Sequence, residues 1–190
     1  MGDVLCMEQK TVNTRDIVLT ALMIALVYLA GSVIKIPSVG GFVHLGDCMV
    51  FLSVIVLGKK KGTFASAVGM ALVDILGGYY FWAPFTFIIK GVMAYITGAI
   101  IERINHGEKV NGFKKEYILA FVVGGIFMVV GYFIAGAILA GFLTDHLGLV
   151  SGLAYAAKDI VGNIIQVTTG IVIAIPLTGV IVTAKKKVFN

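Results

Sequence analysis

Charged and aromatic side chains stand close together in one otherwise apolar stretch, residues 73–90, which reads VDILGGYYFWAPFTFIIK. Asp74 and Lys90 lie near its two ends, and four aromatic residues follow one another at positions 79–82. Ionisable groups inside apolar segments are costly, and they usually face a cavity or each other. Aromatic rings can stack on a flat ligand or form a belt at the membrane surface. The stretch therefore indicates either the wall of a ligand pocket or an interfacial belt.

The composition indicates an integral membrane protein. Of the 190 residues, 59% are hydrophobic and only 13% are charged, whereas a soluble domain is typically about 45–50% apolar and about 25% charged. The length suits a single domain over residues 1–190. The formal charge of +5 does not indicate a nucleic-acid partner, because in a membrane protein the location of the charges matters more than their sum.

Six apolar segments predict an all-α fold with six transmembrane helices. Their approximate bounds are 17–34, 44–58, 62–77, 84–101, 117–143 and 158–183. The second and third segments are marginal spans, because about 15 residues give only about 22 Å of helix. The sequence also predicts a glycine-rich loop after the first segment and a basic turn at Lys59–Lys61.

The basic residues predict the orientation of the bundle. If the N-terminus is cytoplasmic, twelve of the fifteen Lys and Arg residues fall on the inside. Cytoplasmic loops carry an excess of Lys and Arg, so we expect both termini to be cytoplasmic. Loops 35–44, 78–83 and 144–157 are then outside.

With this orientation, polar side chains collect in the outer half of the bundle, as in a pocket open to the outside. The candidate ligand contacts are His44, Asp47, Asp74, Tyr79, Tyr80, Trp82, Lys90, Asn163 and Gln166. Asn163 and Gln166 share a helix face because they are three residues apart. The alternative interpretation is structural: Lys90 pairs with Asp74 or Asp159 and holds the helices together.

Catalytic and metal-binding patterns are missing from the sequence. It has no HExxH, GxSxG or Walker motif and no histidines paired at metal-ligand spacing. We therefore expect neither an enzyme, nor a metal site, nor a cofactor, and the chain cannot power transport with ATP by itself. A stand-alone secondary transporter that uses Asp74, Lys90 and Asp159 as an ion relay remains open.

Ala21 and Ala25 form a small-xxx-small stripe on the first segment. Small residues at this spacing let another helix approach closely. The stripe is compatible with packing inside the bundle and with docking of a partner.

Several motifs resemble the substrate-binding S components of energy-coupling factor (ECF) vitamin transporters. These motifs are the AxxxA stripe, the glycine loop GFVHLGD at 41–47, the basic turn LGKKKG at 57–62 and the run ALVDILGGYYFWAPFTFIIKG at 71–91. The last two look most like the riboflavin-transporter-type group, which also includes members assigned to hydroxymethylpyrimidine or vitamin B6. The resemblance covers nearly the whole chain.

The resemblance implies a subunit that binds a vitamin or precursor from outside and docks on a transmembrane T component carrying two ATPases. It implies a multi-pass location in a bacterial plasma membrane, a docking role for Ala21 and Ala25, and a ligand site between the loop after helix one and the outer parts of helices four to six. Thr86, in the Ala-Pro-x-Thr motif, joins the candidate ligand contacts on this basis. The favoured ligand is a small ring like vitamin B6 or hydroxymethylpyrimidine, with riboflavin as the alternative.

Overall fold

The protein is a helical bundle with one short hairpin. A computed structural model describes residues 13–33, 35–37, 42–108, 110–143 and 148–189. Its elements are α1 (Thr14–Val33), β1 (Lys35–Pro37), β2 (Phe42–His44), α2 (Gly46–Leu57), α3 (Lys59–Leu76), α4 (Ala83–Ile104), α5 (Tyr117–Ile138, continued by a π-helical turn, Leu139–Leu143) and α6 (Gly148–Phe189). The predicted helical fold is confirmed, with the hairpin as an addition.

Four helices are long and apolar enough to cross a membrane: α1, α4, α5 with its π turn, and α6. α2 is equally apolar but has only 12 residues, and α3 has three lysines in its first turn. The chain is thus a multi-pass membrane protein. Six spans stay a prediction, because α2 and α3 are not among these four helices. Cytoplasmic termini also stay a prediction, because Lys10, Lys109 and the side chains of residues 185–187, used in the charge count, lie outside the described residues.

Two predicted boundaries are wrong, and one expected loop contains a hairpin. Residues 148–157, expected in an outer loop, form the start of α6. Lys59–Lys61 belong to the first turn of α3, because a single residue, Gly58, separates α2 from α3. The expected glycine loop contains the antiparallel hairpin, in which Lys35 pairs with His44 and Ile36 with Val43. Residues 38–41 and 144–147 of the expected loops lie outside the described residues.

Glycines and serines explain why α2 and α3 pack so closely. Gly58 has φ +79°, a conformation that glycine adopts without a steric penalty, and this allows the chain to reverse in one residue. A Cβ on Gly62 would lie only 2.7 Å from the Cα of Val54. Beside this contact, the buried hydroxyls of Ser53 and Ser66 hydrogen-bond to each other at 2.6 Å. Two polar groups inside the bundle therefore satisfy each other.

α1 is buried along one stripe only, Met23, Val27 and Gly31, which packs against α3. Ala21 and Ala25 lie on the exposed part of this helix. The interpretation that these two alanines pack inside the bundle is therefore wrong, and docking of a partner stays a prediction.

The chain order brings several helix ends together. One residue separates the hairpin from α2, and six residues separate α3 from α4. The first turns of α2 and α4, the last turn of α3 and the hairpin therefore lie at one end of the bundle. The candidate residues between 44 and 90 lie at this end.

Candidate functional site

A buried ion pair joins α2 to α4. Lys90 pairs with Asp47, and both side chains are completely inaccessible to solvent. Asp47 lies in the first turn of α2, where the helix dipole favours a negative charge. The sequence suggested Asp74 or Asp159 as the partner of Lys90. The observed partner is Asp47, a candidate ligand contact that was not expected to pair with Lys90.

Gln166 of α6 connects this ion pair to the hairpin. Its Nε2 donates a hydrogen bond to Asp47 Oδ2 at 3.1 Å, and its Oε1 accepts one from the backbone N–H of His44 at 3.1 Å. One side chain thereby ties three elements, β2, α2 and α6, to each other. We call His44, Asp47, Lys90 and Gln166 the ion-pair cluster.

His44 is held as a neutral imidazole. Its Nδ1 accepts a hydrogen bond from the backbone N–H of Gly46 at 3.0 Å. Burial, and then the positive charge of Lys90, lower the pKa of His44 from 6.5 to about 4. The proton of the neutral ring is therefore on Nε2, so this nitrogen is a donor.

α6 can come this close to α2 because residue 170 is a glycine. A Cβ at Gly170 would lie 2.8 Å from the Cβ of Asp47 and 3.2 Å from the backbone nitrogen of Cys48. Real Cβ atoms do not approach this closely, so any larger residue would push α6 away from Asp47.

A second group of polar side chains lies beside the first and consists of Asp74, Thr86 and Tyr132. The Tyr132 hydroxyl donates to Thr86 Oγ1 at 3.1 Å, and the Thr86 side chain in turn hydrogen-bonds to Asp74. Lys90 Nζ lies 5.2 Å from the centre of the Tyr132 ring, within the range of a cation–π interaction. We call these three residues the Asp74 group.

The four consecutive aromatics at positions 79–82 differ in burial. Trp82 is partly buried, and its ring centre lies 6.0 Å from that of Tyr132, tilted by 44°. Tyr79, Tyr80 and Phe81 are exposed. Trp82 is thus the aromatic of this run that stands next to the polar clusters.

The structure brings most of the candidate residues together. His44, Asp47, Asp74, Thr86, Lys90 and Gln166 are all buried. Asn163 is only partly buried, and no described hydrogen bond joins it to the clusters. The roles of all these residues in binding stay predictions.

Two residues of this region were missed in the sequence. Tyr132 is a polar aromatic in the middle of a long apolar segment, and that contrast was a usable signal. Lys35 follows the first helix, and its charge acts on both His44 and Asp74. A Cβ on Gly77 would lie 3.1 Å from its Nζ. The hairpin that positions Lys35 was not predicted.

A cavity of about 1020 Å³ lies elsewhere, between the start of α1, the α2–α3 connection, the end of α4 and the end of α6. The charges on its wall include the ion pairs Lys59–Glu102 and Lys61–Asp16. It is at the opposite end of the bundle from the ion-pair cluster. Among the described residues, no group of three His, Cys, Asp or Glu side chains could hold a metal ion.

Comparison with known proteins gives consistent matches. The family model of the ECF-type riboflavin transporter S component matches residues 11–183. The thiamine precursor transporter HmpT of Lactococcus lactis subsp. cremoris is 26% identical over 165 residues, covering 85% of this chain and 84% of that protein. The biotin transporter BioY of Rhizobium etli is 26% identical over 175 residues, covering 83% of this chain and 92% of that protein.

A third relative, an uncharacterized protein of Pyrococcus woesei, is 35% identical over 147 residues, which cover 70% of this chain and 93% of that protein. The family is one of transporter subunits and not of enzymes. The match over almost the whole chain, on a multi-pass helical bundle, shows that this protein belongs to the S components of ECF-type transporters.

Proposed function

We propose that this chain binds a small water-soluble vitamin or vitamin precursor, by preference a ring like hydroxymethylpyrimidine or vitamin B6. The ligand site is at the end of the bundle that carries the ion-pair cluster and the Asp74 group. One observation carries the proposal: buried polar groups from the hairpin and all of α2 to α6 converge beside an aromatic pair, Trp82 and Tyr132. Such convergence in an apolar bundle is typical of a ligand site.

The proposed division of work follows burial and bonding. Asp47 is bonded to both Lys90 and Gln166, and these three residues form the base of the site. Trp82 supplies a ring on which a flat ligand stacks. The remaining candidates contact the ligand or the mouth of the site: His44, Asp74, Tyr79, Tyr80, Thr86 and Asn163.

The same groups support a ligand of small size. The polar contacts are concentrated around one aromatic pair, and this arrangement suits a single ring with a few hydrogen-bonding substituents. A relative whose name identifies a thiamine precursor as its substrate supports the same choice. Riboflavin, after which the matching family is named, is the alternative and needs room for three fused rings and a polyol tail.

The decisive experiment is mass spectrometry of ligand released from the purified, denatured protein. We expect one small aromatic compound in stoichiometric amount. Recovery of riboflavin would support the alternative ligand. A binding role would be contradicted if no compound were recovered and the protein also bound none of these compounds when they were added.

We also propose that the protein delivers its ligand by docking on an ECF T component with two ATPases, through the exposed Ala21 and Ala25 on α1. Replacing either alanine with Trp should abolish uptake into cells and leave ligand binding to the purified protein unchanged, because the stripe is exposed and lies on a helix outside both polar clusters. Leu26→Trp is the matched control, because Leu26 is exposed on α1 but lies about 100° around the helix from Ala25. Lost binding in the alanine variants would contradict the docking role.

A second candidate is a stand-alone transporter driven by an ion gradient, because Asp74 and Lys90 are buried ionisable groups. Proteoliposomes that contain only this chain distinguish the two. Uptake driven by a proton or sodium gradient would favour the second candidate, whereas uptake that needs added T component, ATPases and ATP would favour the first.

A further inference from the structure

One buried oxygen next to the proposed site has no hydrogen-bond partner. Among the described residues, three buried side-chain polar atoms are unpartnered: Ser32 Oγ, Thr63 Oγ1 and Asp74 Oδ2. A hydroxyl left in this state costs little compared with a carboxylate, because a buried charged group loses far more hydration. Asp74 therefore stands out, as its whole residue is only 7% exposed.

The neighbours of Asp74 are already engaged with other groups. The Thr86 oxygen accepts a hydrogen bond from the Tyr132 hydroxyl, and the Thr86 hydroxyl donates its one proton to Asp74. Lys90 is paired with Asp47. No described side chain donates to Asp74 Oδ2, so this oxygen is open to a hydrogen-bond donor from a ligand.

The charges around the site also restrict the ligand. Asp47 and Lys90 cancel each other, and His44 is neutral at physiological pH. Asp74 adds at most one negative charge, and the nearby Lys35 at most balances it. Among the described residues, the two clusters and Lys35 together carry no surplus positive charge to compensate an anionic ligand, whose burial would be costly.

From this geometry we infer that Asp74 is a specificity-determining residue, which accepts a hydrogen bond from an N–H or O–H group of an uncharged or cationic ligand and excludes phosphorylated and carboxylated compounds. This inference rests on the proposed function. It adds which residue selects the ligand and which chemical class it selects.

The test uses the full-length protein in detergent after removal of bound ligand. The sole tryptophan of the chain, Trp82, lies next to the Asp74 group and reports binding by fluorescence. The probes are 4-amino-5-hydroxymethyl-2-methylpyrimidine, pyridoxine and riboflavin, each beside its phosphate ester. We expect at least one uncharged probe to bind, and its phosphate ester to bind at least about 100-fold more weakly, since the added dianion is uncompensated.

Asp74→Asn should weaken binding of that uncharged probe about 10–100-fold, because a hydrogen bond to a charged acceptor is lost. Thr63→Val is the matched control, because it removes another unpartnered buried oxygen. Thr63 is eleven residues before Asp74 on the same helix and thus about 16 Å away. The variant should leave the affinity for the probe unchanged. A probe analogue in which the donor group is replaced by hydrogen should lose the same factor in the wild-type protein, and no further factor in Asp74→Asn. This comparison keeps the test valid if the variant is unstable.

Several results would overturn the inference. Equal affinity for a compound and its phosphate ester would remove the charge argument. Unchanged affinity in a folded Asp74→Asn variant, with ligand still bound, would mean that only water meets Asp74 Oδ2, and the proposed function would stand without it. Binding of no probe, together with no ligand in the mass spectrum, would overturn the proposed function and this inference with it.

Discussion

Replacing Lys90 with Met tests whether the Lys90–Asp47 pair holds the bundle together. Met fills a similar volume but removes the charge, so the carboxylate of Asp47 stays buried with the Gln166 amide as its remaining side-chain partner. Removing one member of a buried ion pair typically costs about 3–5 kcal/mol of unfolding free energy. For a chain of this size, 1 kcal/mol corresponds to about 2–4 °C in Tm, so we expect the Tm to fall by about 6–20 °C.

The double variant Lys90→Met/Asp47→Asn separates the charge effect from loss of packing. An uncharged Asn still accepts the hydrogen bond from Gln166, so the double variant should be more stable than the Lys90→Met single variant. Unfolding in mixed detergent micelles, followed by the fluorescence of Trp82, gives all three free energies.

Lys59→Met is the matched control for this experiment. Lys59 also pairs with an acid, Glu102, but the two side chains are 23% and 49% exposed, and exposed pairs contribute little. Its Tm should stay close to that of the wild-type protein. If Lys90→Met were no more destabilising than Lys59→Met, or if the double variant were less stable than the single one, the argument from the buried charge would be refuted.

Two further predictions concern the same end of the bundle. The pKa of His44 is about 4 in the folded protein and 6.5 for a solvated histidine, as in the unfolded chain. Between these two pH values the folded protein therefore binds fewer protons than the unfolded chain. Its free energy of unfolding should fall by up to about 3 kcal/mol as the pH drops from 6.5 to 4. His44→Asn keeps an acceptor for the backbone N–H of Gly46 and should make the stability less dependent on pH in denaturation curves. An unchanged dependence of stability on pH in this variant would contradict the role of His44. Gly170→Ala should destabilise the protein by about 1–3 kcal/mol, because the added methyl group overpacks against Asp47. Gly179→Ala is the control and should not destabilise it, because a Cβ at Gly179 meets nothing within 4 Å. Equal Tm values for the two variants would contradict the close approach of α6 to α2.

Local sequence signals were sufficient for most of the helices. Apolar segments bounded by glycine, proline and charged residues placed α4 and α5 within a few residues of their observed bounds. The start of α6 is ten residues earlier than predicted, because the sixth apolar segment was taken to begin at the charged pair Lys158 and Asp159. A helix continues through polar residues when its backbone hydrogen bonds are satisfied, so side-chain polarity alone did not mark its end.

The candidate residues could be collected from the sequence, but their partners could not. Asp74 and Lys90 are conspicuous as charges in apolar runs, and Gln166 as a polar residue in a long apolar helix. Lys90 pairs with Asp47, which is 43 positions earlier in the chain. That contact depends on how α2, α4 and α6 pack, and on the absence of a side chain at Gly170.

The stretch 73–90 illustrates this difference. Its residue types by themselves determined that polar and aromatic groups would meet at one end of an apolar bundle, since charged residues in such segments must avoid lipid. Tertiary packing alone decided that Trp82 turns towards Tyr132, that Lys90 is neutralised by Asp47, and that one oxygen of Asp74 is left without a partner. The physical reason is that burial and hydrogen bonding are properties of neighbours in space, and these neighbours come from helices far apart in the chain.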